Sequence, residues 1–325
     1  MSKVLLSGAN GFLAGNILGE LLKRGYHVRG MIRKTAHIIT RHRNLEIFYG
    51  NITDEADVIE AARGCEIIIH SAALTNQSVS DKNIYESINV GGTGNIIKAA
   101  TLHRTPKIIY VSTANVFGHG SKSAPGHEGL PMSDPFSRSG YAKSKSKAQT
   151  MILEAFKKTN TMVKVVNPTF MIGPNDQKIS SNRIILRALG KKFVLIPPGG
   201  KNFIHVGDVA NATCNAIDGG KTGECYILAH ENLTYREFYL KMSRVTGKRL
   251  FLITIPGPFL LLAGLVGDFL RLAGVNTSVT FINMKIICLC NYYTSRKAIK
   301  EIHLRQTPVE KGIADAISWF RNQKG

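Results

Sequence analysis

The sequence predicts an α/β protein, a doubly wound parallel sheet joined to a smaller mixed C-terminal lobe. Three observations lead there. Over the first half of the chain, short runs that are apolar almost throughout alternate with segments whose apolar residues recur at helical spacing. A glycine cluster falls between the first such run and the first helical segment. After Pro168 the alternation weakens, and Gly173-Pro174 and Pro197-Pro198-Gly199-Gly200 punctuate the chain.

Taken in order, residues 3–7 (KVLLS) form a strand and residues 12–24 a helix. Residues 28–32, 45–48 and 66–70 (EIIIH) are strands, and 84–100 a helix. Residues 107–112 (KIIYVS) are a strand, 139–156 a helix and 162–167 (MVKVVN) a strand. Strands apolar at successive positions are covered on both faces, which is the pattern of a parallel sheet with helical crossovers. Such sheets bind ligands at the carboxyl ends of their strands.

The chain has 325 residues, 44% hydrophobic and 20% charged, enough for a large core and a second lobe. Forty-two Lys+Arg against 22 Asp+Glu leave a net charge of +20, which favours an anionic partner. Without a nucleic-acid motif, a phosphorylated cofactor or an acidic membrane surface is expected rather than nucleic acid. Cys65, Cys214, Cys225, Cys288 and Cys290 are odd in number and contain no C-x-x-C pair, so reduced, mostly buried thiols and a cytoplasmic protein are expected, with no metal site. No signal peptide is evident, because Gly8, Asn10 and Gly11 interrupt the first apolar run. The uncharged stretch 250–267 (LFLITIPGPFLLLAGLVG) is broken by Pro256, Gly257 and Pro258. It reads as a short strand, a turn and a helix from about Phe259. That helix is apolar on nearly every face, so it must be covered. Burial in the lobe is the first expectation, a membrane-surface contact the second and a membrane span the third.

The glycine cluster, Ser7-Gly8-Ala9-Asn10-Gly11-Phe12-Leu13-Ala14, follows the first strand and opens the first helix. Gly8 permits a tight turn, Gly11 removes a Cβ that would block a pyrophosphate, and Ala14 lets helix and strand pack closely. The helix N-terminus then offers free N–H groups and a positive dipole end. Gly8, Asn10, Gly11, Phe12 and Leu13 are the candidate cofactor residues of this turn, which predicts a Rossmann fold. At the end of the second strand, NAD sites place a carboxylate for the ribose 2′-hydroxyl. Here Arg33-Lys34 stand, with no acid between Glu20 and Glu46, and Arg29, Arg41 and Arg43 add charge. A guanidinium suits a 2′-phosphate, so NADP is expected, with NAD as the alternative. Residues 1–168 and about 203–230 are expected to form the dinucleotide-binding domain. Residues of about 169–202 and 231–325 are expected to form the substrate-binding lobe.

A Tyr with a Lys four residues later shares one helical face, and the ammonium lowers the phenol pKa so that it can exchange a proton during hydride transfer. Tyr141-Ala142-Lys143-Ser144-Lys145 and Tyr293-Thr294-Ser295-Arg296-Lys297 both fit. Tyr141 opens the helix after KIIYVS, whose carboxyl end carries Ser112 and Thr113, hydroxyls able to hold a substrate oxygen beside the phenol. Tyr293 has no comparable strand before it. Thr113, Tyr141 and Lys145 are therefore the catalytic candidates, and Tyr293 is read as structural.

Together the motifs resemble the extended branch of the short-chain dehydrogenase/reductase superfamily, the NAD-dependent epimerase/dehydratase family, over nearly the whole chain. The segments that carry the resemblance are SGANGFLAG, HSAA (70–73), NVGGT (89–93), VSTANVFG (111–118), YAKSK, NPTFMIGP (167–174) and FIHVGDVA (203–210). Within it, the chain looks most like dihydroflavonol-reductase-like and 3β-hydroxysteroid-dehydrogenase-like enzymes. The resemblance implies that Ser71, Ala72 and Ala73 line the adenosine and ribose pocket and that Asn51 and Ile52 flank the adenine. It implies that Lys145 holds the nicotinamide ribose, that Pro168 lies near the nicotinamide and that Asn89 completes a proton relay. It also implies a homodimer through the helices bearing Asn89 and Tyr141. Two departures matter. Ala114-Asn115 stand where sugar-nucleotide dehydratases carry an Asp-Glu pair, so the groups for water elimination are missing. Asn167 and Lys201-Asn202 replace residues common in sugar-nucleotide members. His205 is read as structural, and His70 as packing under the cofactor. The leading expectation is an NADP(H)-dependent oxidoreductase acting on a carbonyl or alcohol, most suitably a hydrophobic ketone. A sugar-nucleotide epimerase with retained NAD is the alternative, and a non-catalytic cofactor-sensing protein the third reading.

Overall fold

The computed structural model describes residues 2–38, 40–77, 79 and 81–323. Its strands are β1 Lys3–Ser7, β2 His27–Ile32, β3 Leu45–Tyr49, β4 Ile67–His70, β5 Lys107–Val111, β6 Met162–Pro168 and β7 Phe170–Ile172. There follow β8 Phe193–Ile196, β9 Gly200–His205, β10 Cys225–Leu228, β11 Glu231–Thr234, β12 Phe251–Thr254 and β13 Cys290–Asn291. The helices begin with α1 Phe12–Lys23 and α2 Glu55–Ala62. Next, α3 Lys82–Tyr85 runs through a π-helical turn, Glu86–Gly91, into α4 Gly92–Leu102. The rest are α5 Gly140–Phe156, α6 Arg183–Ala188, α7 Val206–Asn215, α8 Tyr235–Thr246, α9 Gly257–Leu272, α10 Phe281–Cys288, α11 Arg296–Ile302 and α12 Val309–Asn322.

Seven strands form one sheet in the order β10-β6-β5-β4-β1-β2-β3, every pair parallel. The doubly wound prediction is correct. Alternate side chains explain why the strands are apolar throughout. Val4, Leu6, Ile67 and Ile69 enter one core with Ile17 and Leu21 of α1, Val209 and Ala212 of α7, and Ala298 and Ile302 of α11. Leu5, Ile68 and Ile108 enter a second core with Val58 of α2, Ile96 of α4 and Ile152 of α5. Each buried Val, Leu or Ile among them contributes about 1.5–3 kcal/mol, so neither layer of helices is dispensable. The strand order reverses between β1 and β4, whose last residues Ser7 and His70 are register partners. That reversal opens the crevice in which ligands bind to such sheets.

A second sheet is built around β9, flanked by antiparallel β11 and by parallel β13 and β7. In its core Phe203 stacks on Phe238 at 4.4 Å between centroids and meets Phe170 edge-on at 5.5 Å. A capping box of Thr234 and Glu237 starts α8, and Gly247 in the left-handed region ends it. A separate two-stranded ribbon pairs β8 with β12 in parallel.

The stretch 250–267 does form strand, turn and helix, as β12, Pro256 and α9. Its expected burial is not found. Of α9 only Gly264 and Gly267 are buried, while Phe269 is 72% exposed. The reason is the inward face, which carries small and polar residues. A Cβ on Gly264 would lie 2.7 Å from Phe281 Cα, and one on Gly267 would overlap the Val279 carbonyl. Asp268 accepts from Phe281 N–H at 3.0 Å, and Arg271 donates to Thr277 O and Gln77 O. The apolar side chains are left facing outward. No helix among the described residues is long and apolar enough to cross a membrane. All five cysteines are free, Cys65 and Cys214 buried and Cys290 exposed.

Candidate active site

The glycine turn lies at the mouth of the crevice. Gly8 has φ +70°, and a Cβ there would sit 2.9 Å from Ala72 Cα. Only glycine satisfies both constraints. Gly8 N–H donates to Met31 O and Gly11 N–H to Gly8 O, which folds the turn back onto β2. Gly11 is the N-cap of α1 and no side chain caps that end. The first N–H groups of the helix therefore point into the crevice with the positive end of the dipole behind them. Leu13 is packed in the core, so only its N–H can reach a ligand, whereas Asn10 and Phe12 are half-buried at the mouth.

Ser7, which sequence reasoning did not single out, ties the turn to the loop after β4. Its hydroxyl accepts from Ser71 N–H and Ala72 N–H, both at 3.1 Å, and lies 2.7 Å from His70 Nδ1. Burial pushes His70 down to about 3, with Lys145 adding to the effect. The ring is therefore neutral. With Ser7 donating to Nδ1, the Nε2–H donates to Thr93 Oγ1 at 3.1 Å, and Thr93 donates to Asn89 O. His70 is thus a buried relay of hydrogen bonds that holds the crevice wall.

Asn89 sits in the π-helical turn, a distortion common at functional sites. Its Oδ1 accepts from Leu74 N–H at 2.7 Å, and its Nδ2 donates to Leu74 O and to Ser144 Oγ. It therefore joins the loop bearing Ser71, Ala72 and Ala73 to the helix bearing Tyr141. Asn51 Oδ1 accepts from Thr53 N–H in the turn before α2, and Ile52 packs where a Cβ on Gly92 would fall.

Arg33 is exposed just beyond β2 and lines a cleft of about 400 Å³ with Asn51, Thr53, Asn83, Ile84, Ser87 and Ile88. No acid lines it. Lys178, from the loop after β7, is held below its ordinary value by burial and by the nearby Arg33, so two cations converge at this end. Lys34 is exposed beside Arg33, and Arg41 and Arg43 are exposed further along. Arg29 is not part of the group. It pairs with Glu46 and donates to the carbonyls of Glu60, Ala61 and Arg63, closing the end of α2.

The proton-transfer candidates meet at the carboxyl end of β5. Ser139 caps α5 and sets Tyr141 in its first turn. Thr113 lies two residues past the end of β5 and opens a short 3₁₀ turn. The phenol of Tyr141 is pushed up to about 12, first by burial, with the Thr113 hydroxyl drawing it down and Tyr85 raising it. This is the opposite of the lowering that the Tyr-Lys spacing predicts. Burial of the phenol is the first cause of the reversal, and Lys145 is buried as well: its Nζ donates to Val111 O at 2.6 Å and lies 4.2 Å over the Tyr110 ring, and burial pushes it down to about 7. An ammonium so readily neutralised stabilises a phenolate weakly. Asn167 Nδ2 donates to Thr113 O and to Gln149 Oε1, locking the strand end. Ser112 Oγ is buried without a partner beside this cluster. Pro168 ends β6 next to Leu228 of β10.

Tyr293 is buried with Ala114, Val116 and Ile227, and Lys297 pairs with Glu224. His205 caps α7 by accepting from Gly207 N–H and reaches Asp315 of α12 at 3.2 Å, which ties the two helices together.

The uncapped helix end, the Gly8 cradle and the acid-free cleft at Arg33 fit a dinucleotide lying from β2 toward β5. Residues 4–229 match the family described as "NAD dependent epimerase/dehydratase family". The chain belongs to that family. A relative from Synechocystis sp. named "Putative dihydroflavonol 4-reductase" is 30% identical over 98% of this chain and 94% of its own length. The "3 beta-hydroxysteroid dehydrogenase/Delta 5-->4-isomerase" of Mycobacterium tuberculosis is 30% identical over 79% of this chain and 73% of its own. The crystal structure of gox2253 superposes with a TM-score of 0.85 at 29% identity, covering 99% of both chains. As a member of the epimerase/dehydratase family, the protein is an NAD(P)-dependent oxidoreductase acting on a small molecule.

Proposed function

We propose that this family member is an NADP(H)-dependent reductase interconverting a hydrophobic ketone and its alcohol, with Tyr141 as general acid and base. The observation that carries this is the meeting of Tyr141, Thr113 and Lys145 at the carboxyl end of β5, beside the crevice between β1 and β4. A bound nicotinamide supplies or accepts the hydride. Tyr141, kept protonated by burial, donates its proton to the carbonyl oxygen in reduction. Thr113, beside the phenol, orients that oxygen. Lys145 spends one N–H on Val111 O and has others free for the nicotinamide ribose. Asn89 holds the loop of Ser71, Ala72 and Ala73 in place against α5. Pro168 closes the nicotinamide end, and Gly8, Asn10, Gly11, Phe12 and Leu13 receive the pyrophosphate. Asn51 and Ile52 flank the adenine.

Preference for NADP over NAD is supported by Arg33 in a cleft without acids, with Lys178 close enough to feel its charge and Lys34 next to it in the chain. A hydrophobic substrate is supported by the apolar wall beside Tyr141, where Ile282 and Ile286 of α10 pack with Phe136, Met132 and Ala142. Five free thiols support a reducing cytoplasmic compartment. A homodimer through α4 and α5 is supported by Ile97, Met151 and Leu153, which are only partly buried on those helices.

The test is NADPH oxidation against a panel of hydrophobic ketones. Turnover is expected, and Tyr141→Phe should lower kcat by roughly 10²–10⁴-fold while NADPH still binds. A tightly retained NAD with interconversion of a UDP-sugar would replace this reading by an epimerase.

A further inference from the structure

The outward face of α9 inverts the usual arrangement of a surface helix. Its two charged residues, Asp268 and Arg271, turn inward to hydrogen-bond the backbone. Phe259, Leu262, Leu265, Val266, Phe269 and Leu272 face outward, each between 53% and 86% exposed. The strand leading into this helix continues the pattern. Phe251 and Ile253 of β12 are register partners of Phe193 and Leu195 of β8, and all four are exposed on one face of the ribbon. Exposed apolar side chains in such number on two elements consecutive in the chain mark an interaction site on a globular protein.

The charges around it identify the partner. Lys191 and Lys192 precede β8, and Lys248 and Arg249 precede β12. Because the strands are parallel, the four cations gather at one end of the ribbon. Lys192 Nζ and the Arg249 guanidinium lie 5.7 Å and 5.1 Å from the Phe251 ring centroid, over the apolar face itself. Lys191 and Lys248 line a cleft of about 110 Å³ with Arg321, and no acid lines it. Among the described residues, none of these five cations is held in an ion pair. A second copy docked through the same face would offer these cations only the apolar side chains and the acid-free cleft of that face, with no carboxylate from either. A lipid surface bearing anionic headgroups offers both an apolar phase and phosphates.

We propose that α9 and the β8–β12 ribbon seat the protein on the surface of an anionic lipid bilayer, the apolar side chains entering the headgroup boundary and Lys191, Lys192, Lys248 and Arg249 meeting lipid phosphates. The docking is independent of the reaction assigned above. The experiment is co-sedimentation of the full chain with vesicles of phosphatidylcholine alone or mixed with phosphatidylglycerol. Binding is expected only or chiefly to the mixed vesicles, about tenfold tighter or more, and weakening as salt is raised. Leu265→Glu with Phe269→Glu should lower binding to the mixed vesicles at least about tenfold, and Lys192→Glu with Arg249→Glu should abolish the preference for phosphatidylglycerol. NADPH binding and the melting temperature report whether each variant is folded, and Leu262→Ser with Phe269→Ser serves should the double glutamate not fold. Failure of the wild type to sediment with either vesicle overturns the proposal, as does equal sedimentation of folded variants and wild type. So does a dimer in light scattering that the α9 variants split while vesicle binding is absent, which would assign the face to a second copy of the chain.

Discussion

At the scale of single residues, burial outweighs pairwise charge in this site. The Tyr-Lys spacing on α5 was legible in the sequence, and the proposed catalytic side chains gather at the carboxyl end of β5. The protonation of those side chains was not legible, because it depends on how much water each has lost. Tyr141 is raised to about 12 and Lys145 lowered to about 7, both chiefly by desolvation. Arg33 and Arg29 show the same limit. Both are arginines on or beside β2, yet one lines a cleft and the other is consumed by Glu46 and three carbonyls. Arg33→Ser should raise KM for NADPH about tenfold to a hundredfold, the worth of one charge-assisted bond to a phosphate, and leave KM for NADH nearly unchanged. Steady-state kinetics with both cofactors would show this, and an equal effect on the two would remove Arg33 from 2′-phosphate recognition.

At the scale of elements, the glycines divide by what lies against them. Gly19 of α1 has nothing within 4 Å of a would-be Cβ, whereas Gly267 of α9 has the Val279 carbonyl in that space. Gly19→Ala should therefore be neutral or stabilising by about 0.5–1 kcal/mol, through helix propensity. Gly267→Ala should cost about 1–3 kcal/mol, because α9 must move off the Val279 backbone that leads into α10 to admit the methyl group. Thermal melts of the two variants give the comparison, and a Gly267→Ala protein as stable as the wild type would contradict the close packing. The π-helical turn before α4 was equally hidden from periodicity. Residues 84–100 repeat their apolar side chains closely enough to read as one helix, and the extra residue per turn emerges only from the Asn89 contacts with Leu74 and Ser144.

At the scale of the whole molecule, His70 links the cofactor crevice to stability against acid. Its folded value of about 3 lies below the ordinary 6.5, so the unfolded chain binds a proton more readily between those values. Stability present above 6.5 is lost as pH falls toward 3, by up to about 1.4 kcal/mol per pH unit from this group. Lys145 acts with the same sign at higher pH: lowered to about 7 from 10.5, its buried charge destabilises the fold until pH rises through that window. Melts across acid pH should show a flatter slope for His70→Asn than for the wild type, and parallel slopes would show that the ring takes up its proton without unfolding the crevice.

By itself the sequence determined the doubly wound sheet, the glycine turn and the basic end of β2. These depend on periodicity, on the conformational needs of glycine and on neighbours along the chain, all of which are written in residue order. Only the tertiary structure decided which apolar helix would be covered, which arginine would be free and which ionisable groups would lose their water. Those outcomes depend on what distant segments bring against a residue: Val279 and the start of α10 took the glycines of α9 and left its leucines outward, and the end of β5 took one N–H of the buried Lys145.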